Sequence, residues 1–162
     1  MYVEDFMRRA VVLSATALTS DGTEPFGAVI VRNGQIVGEG INRSLLNRDP
    51  TSHGEIETIR DACRNLGTVD LSGCDIYTSC EPCPLCVAAM EIARISRLYF
   101  AASLAQSDSA IKGLSPAARF PIDSEKLRET CARPVHARDM PSEQHLSEAA
   151  VEVIAAWAQS RR

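Results

Sequence analysis

The sequence contains no apolar run that approaches the roughly 18 residues needed for a membrane-spanning helix. Its start, Met1–Asp5, carries acids where a secretory signal carries bases, so we expect a cytoplasmic protein that does not associate with membranes. Basic residues are outnumbered, with 17 Lys and Arg against 21 Asp and Glu. The net charge of -4 argues against nucleic acid as a partner, because nucleic-acid-binding domains usually present a basic face.

Internal repeats and low-complexity segments are absent too, and the 162 residues are 45% hydrophobic. A chain of this length buries a substantial core, and we predict a single domain over residues 1–162. Six cysteines are present, three of which cluster as Cys80, Cys83 and Cys86. In a cytoplasmic chain, a C-x-x-C spacing is more typical of metal binding or redox chemistry than of disulfides.

Hydrophobic periodicity predicts alternating helices and strands. Apolar residues recur at helical spacing in four segments, about 2–19, 53–66, 83–94 and 143–160. Runs rich in β-branched and aromatic residues predict strands at 26–31, 35–40, 75–78 and 97–101, with a fifth short strand near 134–135. Asn33-Gly34 is a hairpin turn signal, so the first two strands should pair antiparallel, while strands joined by helices should lie parallel. The order of elements predicts an α/β fold, a three-layer α/β/α sandwich around a central mixed five-stranded sheet.

The residue types at 53–55 and 83–86 predict a metal centre. His53, Cys83 and Cys86 supply an imidazole and two thiolates, which are the donors that bind Zn²⁺ best. Three protein ligands leave the fourth tetrahedral position for water, which is typical of a catalytic zinc, and we predict one Zn²⁺ per chain. Glu55 lies two residues from the imidazole and is predicted to be the catalytic proton shuttle, with water as co-substrate.

Local structure favours this metal site. His53 is predicted to open one helix and Cys83 another, so both lie at the positive end of a helix dipole. That field favours thiolate over thiol at Cys83 and Cys86. The i, i+3 spacing of the two cysteines also places both sulfurs on one side of their helix.

Three other roles for these cysteines stay open at this point. Cys80 would complete a closed Cys₃His zinc site with four protein ligands and no catalysis. Cys83 and Cys86 would alternatively form a redox C-x-x-C pair. An iron–sulfur site is disfavoured because no fourth cysteine follows at a suitable spacing. The carboxylate of Glu55 favours the catalytic zinc, since a structural zinc has no use for a proton carrier.

Several sequence blocks resemble the cytidine-deaminase-like superfamily, in its nucleobase and tRNA adenosine deaminase branch. The arrangement of His53, Glu55, Pro82, Cys83 and Cys86 is similar to the zinc deaminase signature. Further matching blocks, which look most like bacterial guanine deaminases, are 25–31, 40–42, 49–51 and 77–84. The resemblance implies a zinc-dependent hydrolase that deaminates a small heterocyclic base, with a guanine-like purine as first choice, and that forms a homodimer.

The resemblance also implies substrate contacts. Phe26 would stack on the heterocycle and Asn42 would hydrogen-bond to it. Gly54 is placed beside the substrate as well, although it departs from the Ala that guanine deaminases usually carry. Trp157 lies on the apolar stripe of the last helix, where it would either pack in the core or a dimer interface or line the substrate site. Those enzymes also carry an acidic pair after the fourth strand. This chain lacks the pair, and Asp108 is the nearest carboxylate that would replace it.

Other functions stay open because these departures fall where the substrate is chosen. Cytosine-type and triazine-type deamination are the nearest alternatives. Deamination of the tRNA wobble adenosine is supported by Arg43 and Arg48 but opposed by the acidic net charge. A zinc-stabilised binding module is the alternative that involves no catalysis.

Overall fold

The computed structural model describes residues 1–115, 118–119 and 121–162. Backbone contacts divide the chain into two compact units, Met1–Ser124 and Glu125–Arg162. The first unit holds a β-sheet with helices, and the second unit is helical. That residues 1–162 act as one domain stays a prediction.

The first unit follows the predicted order of elements, with two additional short helices. Its helices are α1 (Glu4–Ala15), α2 (Ser44–Asn47), α3 (Gly54–Leu66), α4 (Pro84–Ala93) and α5 (Leu104–Ala110). Its strands are β1 (Glu24–Arg32), β2 (Gln35–Asn42), β3 (Asp75–Cys80) and β4 (Arg97–Ala102). Further along the chain are α6 (Ser124–Ala132), a short 3-10 helix (Val135–Ala137) and α7 (Ser147–Gln159).

The sheet is mixed, as predicted, with strand order β2-β1-β3-β4. β1 pairs antiparallel with β2 and β3, and β3 pairs parallel with β4, which follows it through α4. The hairpin turn between β1 and β2 has φ of 53° at Asn33 and 76° at Gly34. These two left-handed residues are what a type I′ turn requires, so the hairpin prediction is confirmed.

The predicted fifth strand is wrong, because the sheet has four strands in the part of the chain that the structure describes. Val135–Ala137 forms a single 3-10 turn instead, in which the Ala137 N–H donates to the Pro134 carbonyl at 2.9 Å. Pro134 has its φ fixed near the helical value and suits the start of such a turn. Two extended residues are too few to specify a strand against that local preference.

Alternate residues of β1 pack against different helices, and this produces the three layers. Ala28 and Ile30 belong to the core beneath α3 and α4. Val29 and Val31 point to the opposite face and pack with Met7 of α1. Because side chains alternate across a strand, one apolar run covers both faces of the sheet. The three-layer α/β/α sandwich is therefore confirmed.

Helix α4 packs on the core through the face that carries Cys86. Its apolar pattern also predicts an inward Ile92, and this is wrong, since Ile92 is 83% exposed. The helix buries Cys86, Met90 and Ala93 instead, which lie on one helical face. Apolar residues surround this short helix on all sides, so their periodicity does not identify the buried face.

The second unit leaves much of its apolar surface exposed. Helix α7 carries four exposed large apolar side chains, Val151, Val153, Ile154 and Trp157. None of the helices within the described ranges combines the length and the apolar character needed to cross a bilayer.

Leu71→Ala tests the core beneath α3 and α4. Leu71 is fully buried there, so the substitution should lower the free energy of unfolding by about 3–5 kcal/mol through lost burial and a residual cavity. Leu18→Ala, at a residue that is 83% exposed, is the matched control and should change that free energy by less than about 0.5 kcal/mol. Urea denaturation followed by circular dichroism gives both values, and equal losses in the two variants would contradict this assignment of the core.

Candidate active site

The N-termini of α3 and α4 meet at one end of the sheet. His53 is the N-cap residue of α3 and Cys83 is the N-cap residue of α4, as the sequence predicts. The carbonyls of both residues accept helical N–H bonds, of 2.9 and 3.0 Å. The buried hydroxyl of Thr58 lies 2.7 Å from the Gly54 carbonyl oxygen and 3.2 Å from that of Ala28. Thr58 thereby fixes the start of α3 to β1.

Three donor atoms come together between these two helices. Nδ1 of His53 lies 3.5 Å from Sγ of Cys83 and 3.4 Å from Sγ of Cys86, and the two sulfurs are 3.8 Å apart. A tetrahedral zinc with bonds of ~2.3 Å to sulfur and ~2.0–2.1 Å to nitrogen separates two sulfurs by about 3.8 Å, and a sulfur from a nitrogen by about 3.5 Å. The three side chains are therefore spaced to bind one Zn²⁺ ion, as predicted.

Cys80 does not join the metal-binding group. It is buried and lines the same cavity as His53 and Cys83. However, the group of potential ligands within 4.8 Å of one another, among the described residues, consists of His53, Cys83 and Cys86. Burial raises the pKa of the Cys80 thiol, which keeps it neutral. This arrangement favours the three-ligand site over the closed Cys₃His site.

The pKa values of the metal-binding side chains are shifted in different directions. The hydrogen bond with Cys86, helped by one with His53, lowers the pKa of Cys83 to about 4 despite burial. The same contact with Cys83, together with burial, raises the pKa of Cys86. The hydrogen bond with Cys83 also raises the pKa of His53. These contacts favour the thiolate form of Cys83, and a divalent cation would displace the remaining protons, since ligands bind in their deprotonated forms.

The carboxyl group of Glu55 is buried beside the metal-binding side chains. Glu55 is only 7% exposed, and its Oε2 accepts a hydrogen bond from the Cys86 thiol at 3.3 Å. Burial raises the pKa of Glu55, because removal from water disfavours the charged form. Glu55 also lines the cavity together with His53. This is the position that a proton shuttle requires.

A cavity in the first unit extends from these residues. Three of the predicted substrate contacts, Phe26, Asn42 and Asp108, line it. The other lining residues are His53, Glu55, Cys80, Glu81, Cys83, Leu104, Ser107, Arg119, Ile122 and Ser124. The sequence gives no signal for Arg119, because this residue falls in the weakly patterned region 103–134.

The side-chain amide of Asn42 is oriented by the backbone of the next turn. Its Oδ1 accepts the Ser44 N–H at 2.9 Å, which distinguishes the oxygen from the nitrogen, since only an oxygen accepts. The Nδ2 amino group is therefore the end that Asn42 offers to a ligand. Asn42 acts as a hydrogen-bond donor in this arrangement.

Gly54 contributes through close approach of the backbone. A Cβ atom at this position would overlap the carbonyl oxygen of Phe26 and lie 3.5 Å from the backbone nitrogen of Asn42. The missing side chain lets α3 begin directly against β1 and β2, the strands that carry both proposed substrate contacts. Direct contact between Gly54 and a substrate stays a prediction.

Trp157 lies on α7, in the second compact unit, and is 62% exposed. Its ring centroid is 5.9 Å from the guanidinium carbon of Arg161. The proposed place of Trp157 beside the substrate is a prediction that these contacts do not test.

Cys86→Ser tests the ligand set. The variant should lose most of the one zinc per chain, because a hydroxyl is a poor replacement for a thiolate. Cys80→Ser is the matched control, since it changes a neighbouring buried cysteine outside the ligand set, and it should keep about one zinc per chain. Elemental analysis of the purified variants measures the zinc content. Loss of zinc in Cys80→Ser would instead indicate a closed Cys₃His site.

Known proteins of similar sequence and structure include deaminases. Guanine deaminase from Bacillus subtilis (strain 168) is 38% identical over 138 residues, which are 85% of this chain and 82% of that protein. The X-ray structure of guanine deaminase from Bacillus subtilis matches with a TM-score of 0.83 at 34% identity and covers 98% of this chain and 95% of that chain. The protein NE0047 in complex with 2,6-diaminopurine matches with a TM-score of 0.63 at 30% identity, over 69% of this chain and 61% of that chain. A tRNA-specific adenosine deaminase from Agrobacterium fabrum is 43% identical over 97 residues, which are 60% of this chain and 63% of that protein.

A family model also matches most of the first unit. The model describes the cytidine and deoxycytidylate deaminase zinc-binding region, and it covers residues 2–102. That span contains the three metal-binding side chains and Glu55, whereas Asp108 and Arg119 lie beyond it. The family match agrees with the ligand spacing and with the likeness to guanine deaminase. The chain therefore belongs to the cytidine and deoxycytidylate deaminase zinc-binding family.

Proposed function

We propose that this protein hydrolytically deaminates a guanine-like purine base and releases ammonia, with water as co-substrate. The position of Glu55 carries the proposal, because this buried carboxyl lies 3.3 Å from the Cys86 sulfur and lines the same cavity as His53. Similarity to a guanine deaminase over 85% of the chain supports a purine substrate. The ligand of NE0047, 2,6-diaminopurine, is also a small heterocyclic base.

Glu55 would move the protons of the reaction. A Zn²⁺ ion held by His53, Cys83 and Cys86 would lower the pKa of a water to around 7 and so supply a nucleophile near neutral pH. Glu55 would take one proton of that water and pass it to the ring nitrogen next to the amino-bearing carbon, while the water oxygen forms a bond to that carbon. Glu55 would then take the remaining proton of the added hydroxyl group and give it to the amine, so that the C–N bond breaks, an oxo group stays on the ring and ammonia leaves. The raised pKa of Glu55 suits both tasks, since a proton carrier works best when its pKa approaches the operating pH.

The cavity offers a flat base two kinds of contact. The Phe26 ring is half-buried at the cavity wall and presents an aromatic face for stacking. Asn42 presents its amino group as a donor to a ring nitrogen or an oxo oxygen. Asp108 lies on the exposed side of the cavity, where its carboxylate would accept from an amino group or a ring N–H.

The wobble adenosine of tRNA is the second candidate substrate. It is supported by 43% identity to a tRNA-specific adenosine deaminase, of whose length this chain spans 63%. Arg43 and Arg48 are exposed at the two ends of α2, close in sequence to His53. A net charge of -4 argues against a tRNA substrate, because phosphate contacts require a basic surface. Ammonia release from free bases and from an anticodon stem-loop distinguishes the two substrates.

A homodimer in the cytoplasm is part of the same proposal. The exposed apolar residues of α7, including Val151, Ile154 and Trp157, support an interface with a second copy of the chain. The six cysteines support a reducing compartment, since all are free thiols.

Glu55→Gln tests the proposed proton shuttle. The amide keeps the shape of the side chain but cannot take up and release a proton, so kcat should fall by about 10²- to 10⁴-fold while the zinc content stays at about one per chain. Ammonia release from guanine, followed with a coupled assay, together with elemental analysis, measures both quantities. Glu91→Gln, at an exposed residue of α4, is the matched control and should keep full activity. Wild-type turnover in Glu55→Gln would exclude the assigned role.

A further inference from the structure

Arg119 is a charged residue at the cavity wall that the proposed chemistry does not use. Its Nε donates to Oε2 of Glu24 at 3.0 Å, and only 23% and 9% of the two side chains are exposed. Glu24 begins β1, two residues before Phe26. A largely buried, charge-assisted hydrogen bond of this kind holds the guanidinium in one place.

Phe26 provides a second anchor for Arg119. The guanidinium carbon lies 5.0 Å from the centroid of the Phe26 ring, within the range of a cation–π contact. Arg119 thus contacts the side chain that is proposed to stack on the base, and it lines the cavity together with Asn42. Two independent contacts fix the guanidinium before a substrate enters, so little side-chain entropy is lost when it binds one.

Arg119 and Asn42 both offer hydrogen-bond donors to the cavity that they line. Arginine carries five N–H donors and no acceptor. The Oδ1 atom of Asn42 already accepts the Ser44 N–H at 2.9 Å, which leaves the Asn42 amino group as a donor. A ligand atom that contacts Arg119 must therefore be an acceptor, such as an oxo oxygen, a carboxylate or an unprotonated ring nitrogen.

The carboxylates around the cavity indicate which of these acceptor groups a ligand would carry. Glu24 compensates the charge of Arg119, while Glu81 and Asp108 are further carboxylates that line the cavity. Glu81 and Asp108 would repel a ligand that carried a full negative charge. A neutral ring with an oxo group therefore fits the wall at Arg119 better than a ring with a carboxylate.

We infer that Arg119 is a specificity-determining residue that binds the oxo oxygen of an amino-oxo heterocycle and selects it over the diamino analogue. The inference rests on the proposed deaminase function. Guanine and 2,6-diaminopurine form a suitable pair, because one ring carbon carries an oxo group in the first and an amino group in the second. An amino group at that carbon would place its N–H donors against the N–H donors of Arg119 and leave the donors that face the ligand without an acceptor.

Ammonia release from guanine and from 2,6-diaminopurine tests this inference in the zinc-loaded full chain. The wild type should prefer guanine by about 10-fold or more in kcat/KM. Arg119→Gln should raise KM for guanine about 10- to 100-fold at nearly unchanged kcat, and should change KM for 2,6-diaminopurine less than about threefold. Arg119→Lys should keep part of the preference because it keeps a charged donor. Arg64→Gln, at an exposed arginine of α3, is the matched control and should change neither base.

A double variant controls for misfolding, because Arg119→Gln by itself leaves the buried Glu24 without its cation. Glu24→Gln combined with Arg119→Gln removes both charges and should show the same selective loss for guanine. Equal KM changes for the two bases, or no change for either, would overturn the inference.

Failure of the proposed function gives a different result, namely no ammonia from either base with the wild type. Equilibrium dialysis of labelled guanine and 2,6-diaminopurine against zinc-loaded Glu55→Gln protein then tests separately whether Arg119 selects between the two bases. Preferred binding of guanine that disappears when Arg119→Gln is added supports its role. Equal binding of the two bases contradicts it.

Discussion

The approach of two helix N-termini at one end of the sheet is the constraint on which the site depends. Sulfur and nitrogen donors stay 3.4 to 3.8 Å apart only if α3 and α4 are both fixed on the same face of that sheet. The shared core with Ala28 and Ile30 beneath both helices provides this, and Thr58 adds a hydroxyl contact from α3 to β1. The glycine at position 54 lets α3 begin close to β1, because a side chain there would collide with the backbone of Phe26. The metal-binding geometry is thus a consequence of how the helices pack on the sheet.

Burial sets the protonation of the site, and the contacts between its members decide which groups carry charge. Removal from water raises the pKa of Glu55, which lets a carboxyl hold a proton closer to neutral pH. Hydrogen bonds with Cys86 and His53 act in the other direction on Cys83 and lower its pKa to about 4. One small region therefore holds a thiolate that is ready for a cation and a carboxyl suited to carry protons. These are the two functions that hydrolytic deamination requires of its protein side chains.

The cavity wall combines two strands and a distant loop. β1 supplies Phe26 and β2 supplies Asn42. Arg119, which forms an ion pair with Glu24 of β1, completes the wall from the region beyond α5. The family match ends at residue 102, so it covers the metal centre but not Arg119. The metal-binding residues and Glu55 thus lie in the matched region, whereas Arg119, which we propose contacts the base, lies outside it.

The sequence by itself determined the metal ligands, the helix starts that carry them and the antiparallel hairpin, because each depends on residues close together in the chain. The i, i+3 cysteine spacing, the nearby Glu55 and the Asn33-Gly34 turn are signals of this kind. The fifth strand and the inward Ile92 were predicted wrongly, since two extended residues and a helix that is apolar on all sides carry too little information. Only the tertiary structure decided the ion pair of Glu24 with Arg119, whose members are 95 residues apart. No local pattern encodes such a pair, because the sheet and the loop that bring it together are set by packing of the whole unit.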